Sequence, residues 1–395
     1  MKILICHNYY DNRGGEENVV ETDIKLLKAN GIEVIEYLKK NKNNLLIFIN
    51  FFFSLKTYFE IKKIIKKENP DIAHIHNIFP SISPSIYYVL KRKGIPIVQT
   101  IHNFRFYCSN GLSLKNGKIC NKCEKLSIKN IFNICRKDKK LYDFLLGINI
   151  FLIRLFKVFD KVDYFIVPSL FVKNKLINIK IKPEKIVLKR ITPLIDLISK
   201  KPDYVNKIKY FSFIGRLSEE KGVFDLIKVF SDLKNIKLKI LGEGYLKDNL
   251  IKFIKSNNIQ NIELYGYVDG KLKNEIIRNG IATIIPSHSY ETGPIVLIES
   301  LAMGIPVIAS NLGSINEYIE DGYNGFLFDV NDLNQLKRII CNVSEITKEE
   351  NEKFYKNCLN SYKKFFNLEN NFKIIKNLYS KLKNNKNLYF HNKNK

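Results

Sequence analysis

Short, β-branched apolar runs alternate with helix-length stretches along nearly the whole chain, and no other feature constrains its fold as strongly. Strands spaced by helical patterns of about 10–15 residues do not read as hairpins; they read as βαβ units with parallel strands. In the first half the strand candidates are KILICHN (2–8), IEVIEYL (32–38), IAHIH (72–76), PIVQTIH (96–102) and YFIVPS (164–169). The second half starts the pattern afresh with KYFSFIG (209–215), KLKILG (237–242), IELYGYV (262–268), ATIIPS (282–287) and PVIAS (306–310). Between them KRITPLIDLISKKPDYVNK (189–207) is charged and carries two prolines, which places a linker near 195–207. The fold class is therefore α/β, with two Rossmann-like domains over 1–195 and 208–365 whose parallel sheets face a central cleft.

At 395 residues and 45% apolar content the chain can bury the cores of two such domains. Beyond about Lys348 the sequence reads as Lys- and Asn-rich helices. A helix over 366–382 is expected to pack back on the N-terminal domain, and the low-complexity tail 383–395 is expected to be disordered. The net charge of +26 comes with an excess of Lys over Arg and many Asn and Ile, a bias that an AT-rich genome also produces. What remains of it suits an anionic partner: a nucleotide diphosphate, an anionic membrane surface or nucleic acid. No RNA-recognition, zinc-finger or helix-turn-helix pattern supports the last.

MKILICHNYY enters an apolar strand without a basic n-region or a cleavage site, so a cytoplasmic location is expected. The runs LLIFINFFFSL (45–55) and LLGINIFLIRLFKVF (145–159) are too short, or too interrupted by Arg154 and Lys157, to span a bilayer. They read as helices packed on a core. The other reading is a Lys-flanked aromatic face that docks peripherally at the anionic inner face of a cell membrane.

Residues 290–310, YETGPIVLIESLAMGIPVIAS, form an apolar run that carries two carboxylates, Glu291 and Glu299. An unpaired buried carboxylate costs on the order of several kcal/mol, so both need partners. Pro294 suits the first turn of a helix, and Gly304 followed by Pro306 suits its end. Glu291 then lies in the loop after a strand's carboxyl end, where open α/β sheets bind ligands beside helix N-termini. The free amides there belong to Gly293, Ile295 and Val296. A diphosphate on them leaves Glu299, about a turn and a half into the helix, to accept hydrogen bonds from a ribose diol, while Glu291 faces what lies beyond the phosphates. In the alternative, Glu299 pairs with a lysine and Glu291 is merely solvated.

FIGRLSEEKGVFDLIKVF (213–230) has the layout of a phosphate loop without the Gly-Lys-Ser/Thr that closes one. It places Gly215, Arg216 and Lys221 after a strand, and two such cations can neutralise a diphosphate leaving group. In HNYYDNRGGEENVVE (7–21), Gly14 and Gly15 stand between a strand and a helix and permit close backbone approach, although an ordinary turn uses the same residues. His102, at a strand's carboxyl end, can act on a sugar hydroxyl or a phosphate, whereas His74 and His76 alternate with apolar residues and read as structural. Within 108–135, Cys108, Cys120, Cys123 and Cys135 have the spacing C-x11-C-x2-C-x11-C. In a reducing compartment they read either as a four-thiolate structural zinc site or as four unligated thiols.

GRLSEEKG, ETGPIVLIE, LAMGIPVIAS and NGFLF resemble the retaining glycosyltransferases of family 4, which have the two-domain GT-B fold. GGEENVV and the segment PDIAHIHNIFPSISPSIYYVLKRKGIPIVQTIHNFRFYC resemble a bacterial branch concerned with cell-surface polysaccharide. The resemblance implies that Arg216 and Lys221 hold the donor diphosphate and that Glu299 binds the ribose. It implies that Glu291 contacts the transferred sugar, that the amides of Gly293 to Val296 complete the phosphate site, that Gly14 and Gly15 line the cleft, and that His102 sits near the reacting centre. No divalent metal is implied for catalysis. Glu-Thr-Gly-Pro stands where many members have Glu-Gly-Phe-Gly, which bears on sugar identity.

The expected activity is transfer of a sugar from a nucleotide diphosphate donor, UDP-linked, to a polysaccharide or lipid-linked oligosaccharide with retention of configuration. A non-catalytic nucleotide-sugar-binding protein and a basic nucleic-acid-binding protein are the competing readings.

Overall fold

A computed structural model describes residues 1–10, 14–40, 52–136, 140–193, 210–268 and 270–393, with side chains described to 386. The chain divides into two compact units, the first holding 1–115, 120–192 and 368–395, the second 116–119 and 193–367. The linker expected near 195–207 lies outside the described residues.

The first unit is built on a six-stranded sheet in the order β2-β1-β3-β4-β7-β8. Its strands are β1 (Lys2–Tyr9), β2 (Glu33–Lys40), β3 (Ile72–Ile75), β4 (Ile97–Thr100), β7 (Tyr164–Val167) and β8 (Ile186–Leu188). All pair in parallel. Ile3, Leu4, Ile5 and Cys6 of β1 are wholly buried, as a strand covered on both faces requires. Two-residue strands β5 (Leu114–Lys115) and β6 (Lys118–Ile119) lie in the stretch between β4 and β7. The helices up to β8 are α1 (Gly15–Ala29), α2 (Leu55–Glu68), α3 (Ser85–Arg92), α4 (Lys140–Leu155) and α5 (Leu170–Asn178).

The second unit has a six-stranded sheet in the order β11-β10-β9-β12-β13-β14, also parallel throughout. Its strands are β9 (Tyr210–Ile214), β10 (Lys237–Leu241), β11 (Ile262–Gly266), β12 (Thr283–Ile285), β13 (Val307–Ser310) and β14 (Gly325–Phe328). Helices α6 (Val223–Asp232), α7 (Lys247–Ser256), α8 (Gly270–Asn279), α9 (Ile295–Ala302), α10 (Leu333–Ser344) and α11 (Lys348–Phe365) cover it. Phe211, Leu226, Phe230, Ile240, Ile284, Ile308 and Leu336 share one core cluster on one face of the sheet, and Tyr210, Leu241 and Ile276 form a separate one.

The last helix, α12 (Leu368–Lys393), belongs to the first unit, where Ile375, Leu378, Tyr379 and Leu382 join Ile3, Ile5 and Val20 in one core cluster. Tyr379 Oη meets His74 Nδ1 at 2.6 Å, and His74 Nε2 meets Thr100 Oγ1 at 2.6 Å, so the buried imidazole of His74 is satisfied on both sides. The helix runs past 383 to Lys393, with Lys383 on Asp71 (3.2 Å) and Lys386 on the Pro70 carbonyl (2.8 Å).

Of the two most apolar runs, 145–159 lies largely in α4, with Leu146, Ile150 and Ile153 buried but Leu155 and Phe156 exposed. Most of 45–55 lies outside the described residues, and Leu55 opens α2. Among the described residues no helix is long and apolar enough to cross a membrane.

Candidate active site

In the second unit the strand order reverses between β9 and β12, which opens a crevice at the carboxyl ends of those strands. The loop after β9 carries Gly215, Arg216 and Lys221, and the loop after β12 carries Ser287 to Pro294. The two loops close on each other at Gly222, which has φ 68°; a Cβ there would lie 1.9 Å from the Pro286 carbonyl oxygen. A second lock is His288, whose backbone amide donates to the Glu220 carbonyl at 2.9 Å and whose Nε2 is 3.2 Å from Asp225 Oδ2. The Gly215 carbonyl packs so tightly on Gly242 that a Cβ at Gly242 would come within 1.8 Å of it.

This closure brings Lys221 Nζ to 2.7 Å from Glu291 Oε1, while Ser287 Oγ donates to the same oxygen at 2.6 Å. Burial pushes the Glu291 carboxyl up, but Lys221, Ser287 and Arg216 outweigh it and hold the group below its ordinary value, hence ionised. Arg216 itself is largely exposed, 3.6 Å from Glu220 Oε1.

Helix α9 begins after Pro294 without any side-chain cap, so the amides of Ile295 and Val296 in its first turn have no intrahelical acceptor. Glu299, one turn on, is 7% exposed and pairs with Lys273 Nζ of α8 at 2.6 Å through Oε1. Its Oε2 is buried without a hydrogen-bond partner, as is Ser314 Oγ. The Ser314 amide in turn donates to the Glu291 carbonyl at 3.4 Å. The lysine partner foreseen as an alternative for Glu299 is therefore present, and one carboxylate oxygen is still left over. Glu291 is not merely solvated. Lys273 and Ser287 were missed because their spacing from the acids is set by the sheet rather than by any local repeat.

In the first unit the strand order reverses between β1 and β3. Around that point stand His7, His76 and His102: His76 Nδ1 meets His102 Nε2 at 2.9 Å, and the two rings stack at 5.1 Å. The sequence reading of His74 as structural matches its contacts, but His76 faces the residue singled out for chemistry. Its position just past the end of β3, level with His102 past β4, was the available signal. Burial depresses both imidazoles well below the ordinary value, and the neighbouring imidazoles add to this.

His7 is wholly buried with neither ring nitrogen hydrogen-bonded, and its Nδ1 lies 3.9 Å from Glu16 Oε1, which also lacks a partner. Burial first, and then the charge of Glu17, push the Glu16 carboxyl up to about 8 despite Arg105 and a hydrogen bond from Asn103 (3.2 Å). Burial pulls His7 down to about 4. Near neutral pH the pair is thus a neutral acid facing a neutral imidazole. Gly14 and Gly15 form the start of α1, where Glu17 caps the Gly14 amide at 2.8 Å; Gly15 is exposed. Glu16 was missed because it reads in sequence as one more first-turn acid.

The four cysteines lie in the first unit. As they stand, no three or more His, Cys, Asp or Glu side chains among the described residues are arranged to hold a metal ion. Cys108 Sγ donates to Asn110 Oδ1 at 3.0 Å and Cys135 Sγ to the Asn133 carbonyl at 3.3 Å.

Residues 195–361 match the family model "Glycosyl transferases group 1", and residues 13–188 match "Glycosyltransferase Family 4". The chain is a glycosyltransferase built from these two domains. It is 28% identical over 382 residues to an uncharacterized glycosyltransferase of Methanocaldococcus jannaschii, covering 93% of this chain and 95% of that one. It is 23% identical to the UDP-Gal:alpha-D-GlcNAc-diphosphoundecaprenol alpha-1,3-galactosyltransferase of Escherichia coli, over 80% of this chain and 76% of that one. The structure of Anabaena HepE in complex with UDP-glucose superposes with a TM-score of 0.67 at 16% identity, covering 96% of this chain and all of that one (100%). The architecture of this glycosyltransferase is thus GT-B.

Proposed function

We propose that the chain transfers a sugar from a nucleotide diphosphate donor, UDP-linked, to a glycan or lipid-linked glycan acceptor with retention of configuration, in cell-surface polysaccharide assembly. The carrying observation is the crevice of the second unit, where Lys221, Ser287 and Glu291 interlock beside the uncapped start of α9 and Glu299 keeps one buried oxygen free. The UDP-linked donors of the Escherichia coli relative and of the HepE complex support the nucleotide, and the former's diphosphoundecaprenol supports a lipid-linked acceptor.

In this reading the α9 amides, Lys221 and Arg216 carry the charge that develops on the departing diphosphate. Glu299 Oε2 accepts from the ribose diol, and Lys273 fixes the carboxylate in that orientation. Glu291, held ionised, accepts from hydroxyls of the transferred sugar. The acceptor hydroxyl enters from the face the diphosphate leaves, so no covalent nucleophile is needed, and His102 on the first unit, braced by His76, contacts a substrate hydroxyl.

Leu126, Ile128, Phe132, Leu155 and Phe156 are exposed on α4 and the loops that flank it, among the exposed Lys125, Lys129, Lys140 and Lys157. That mixture supports peripheral docking on an anionic membrane. The test of the function is a panel of nucleotide sugars scored for diphosphate release with a lipid-linked acceptor, and for product anomer by NMR. Release with a retained anomer is expected; stabilisation by a nucleotide sugar without release marks a binding protein instead.

A further inference from the structure

Buried polar atoms of a native interior almost all have partners, so a group of them without any marks a place where something else binds. The first unit has such a group at the carboxyl end of its sheet, beside the point where the strand order reverses. Both ring nitrogens of His7, Oε1 of Glu16, Nε2 of His76 and Nε of Arg105 are buried there without a hydrogen bond. His7 stands near the end of β1, Glu16 in the first turn of α1, His76 just past β3 and Arg105 in the loop after β4. The side chains are contiguous. The His7 and His76 rings are 6.3 Å apart, His7 Nδ1 is 3.9 Å from Glu16 Oε1, and Asn103 Nδ2 reaches both Glu16 Oε2 (3.2 Å) and Tyr10 Oη (3.4 Å).

What these groups offer is mostly donors. Arg105 lies over the Tyr10 ring at 4.9 Å and donates from Nη1 to Tyr10 Oη, yet among the described residues no carboxylate pairs with its guanidinium. Its stem is held against Gly111, which has φ 73° and where a Cβ would come within 2.9 Å of Arg105 Cγ. The neighbouring Glu17 carboxylate is engaged instead by the amides of Tyr10 (3.2 Å) and Gly14 (2.8 Å). Glu16, pushed up to about 8, keeps its proton at neutral pH and can donate it to a ligand, and the neutral His7 ring adds one N–H. A guanidinium, a protonated carboxyl and an imidazole N–H together suit a ligand that accepts at several oxygens and brings negative charge. A neutral hydroxyl would leave the guanidinium uncompensated.

We propose that Arg105, Glu16 and His7, with Tyr10 and Asn103, form a site in the first unit for an oxyanion carried by the acceptor, either a phosphate of a lipid-linked diphosphate or the carboxylate of an acidic sugar. That the oxyanion belongs to the acceptor rests on the transfer reading above, in which the second unit takes the donor; the binding of an oxyanion does not. Asn103 directly follows His102, so an acceptor anchored here lies beside the imidazole assigned to its hydroxyl.

The test is calorimetry on the full chain with the second unit's site saturated by UDP, in about 0.15 M salt to suppress binding to surface lysines. Methyl phosphate, methyl glucuronide and neutral methyl glucoside are titrated in turn. At least one anion should bind at one site with a Kd of about 1 mM or tighter, and the glucoside should not bind; the tighter anion names the group on the acceptor. Arg105→Gln should weaken that binding by ~10-fold or more and leave UDP affinity within about twofold. From pH 7 to pH 9 the parent chain should lose anion affinity as Glu16 ionises, whereas Glu16→Gln, which keeps a neutral donor, should hold it. The other groups facing Glu16 are Glu17 of its own helix, His7 of β1, and Tyr10 and Arg105 of the adjoining loops; burial holds His7 and Tyr10 neutral in that range. Failure of both anions to bind, equal binding of the glucoside, undiminished binding by Arg105→Gln, or parent binding that does not change with pH overturns the proposal. The comparison of anions with the glucoside uses the unaltered sequence, so a variant that fails to fold does not blunt the test. Should UDP itself fail to bind, the donor reading falls, and the same titrations without it, parent chain beside Arg105→Gln, still decide the oxyanion site.

Discussion

Lys221 and Glu291 are joined by a 2.7 Å ion pair between two loops that follow different strands of one sheet, and Ser287 donates to the same carboxylate oxygen. The pair is only partly exposed, so it outweighs an ordinary surface salt bridge, and it stands at the carboxyl ends of the strands where the sheet order reverses.

Replacing Lys221 by Ala removes a cation from the site of developing charge and strands Glu291. Turnover should fall by about 10²–10³-fold, the usual effect of deleting one such stabilising group. Steady-state diphosphate release checks this; activity within threefold of the parent protein would exclude the role given to Lys221.

Because Glu291 titrates below the ordinary glutamate value when folded, the unfolded chain binds its proton more readily. Its contribution to stability is therefore present above that ordinary value and is lost as pH falls below it through the folded one. Urea unfolding of the parent chain and Glu291→Gln from pH 7 into the acid range should show the gap between them closing with acid. A gap independent of pH would contradict the pairing.

Glu16 has the opposite sign. Held near 8 when folded against an ordinary 4.5, it binds its proton more tightly in the folded state, so its stabilising effect is complete below 4.5 and is lost as pH rises to 8. Glu16→Gln, which cannot ionise, should gain several degrees in melting temperature relative to the parent chain between pH 5 and pH 8.5, on the order expected for a buried carboxyl. Parallel melting curves across that range would show that Glu16 is ionised throughout.

Tyr379→Phe removes the hydrogen-bond partner of buried His74 Nδ1 and should cost ~1–3 kcal/mol, the penalty for leaving a buried polar group unpaired. Chemical denaturation of the full chain measures it. A change below ~0.3 kcal/mol would mean that the Tyr379–His74 hydrogen bond adds nothing to the hold of α12.

The alternation of strand and helix, and the places where Glu291 and Lys221 leave their strands, were legible because they depend on local periodicity and on loops next to strand ends. β8 and β14 are not among the strand candidates, since IVL and GFLF are short apolar runs without a clear period. The partners Ser287 and Lys273, the stacking of His76 on His102 and the unpartnered His7 facing Glu16 come from parallel pairing between distant strands, which no local pattern encodes. In α12, Ile375, Leu378, Tyr379 and Leu382 supply the apolar stripe that docks the helix, and their helical spacing is a local signal.

Calorimetric titration of UDP and of uridine into the full chain, the parent protein beside Lys221→Ala and Glu299→Gln, tests the central claim most directly. UDP should bind at one site at least ~100-fold more tightly than uridine, because the diphosphate meets Lys221, Arg216 and the start of α9. Lys221→Ala should shrink that advantage, whereas Glu299→Gln should weaken both ligands alike. Equal binding of UDP and uridine, or no binding of UDP by the parent protein, would contradict the donor site assigned to the second unit.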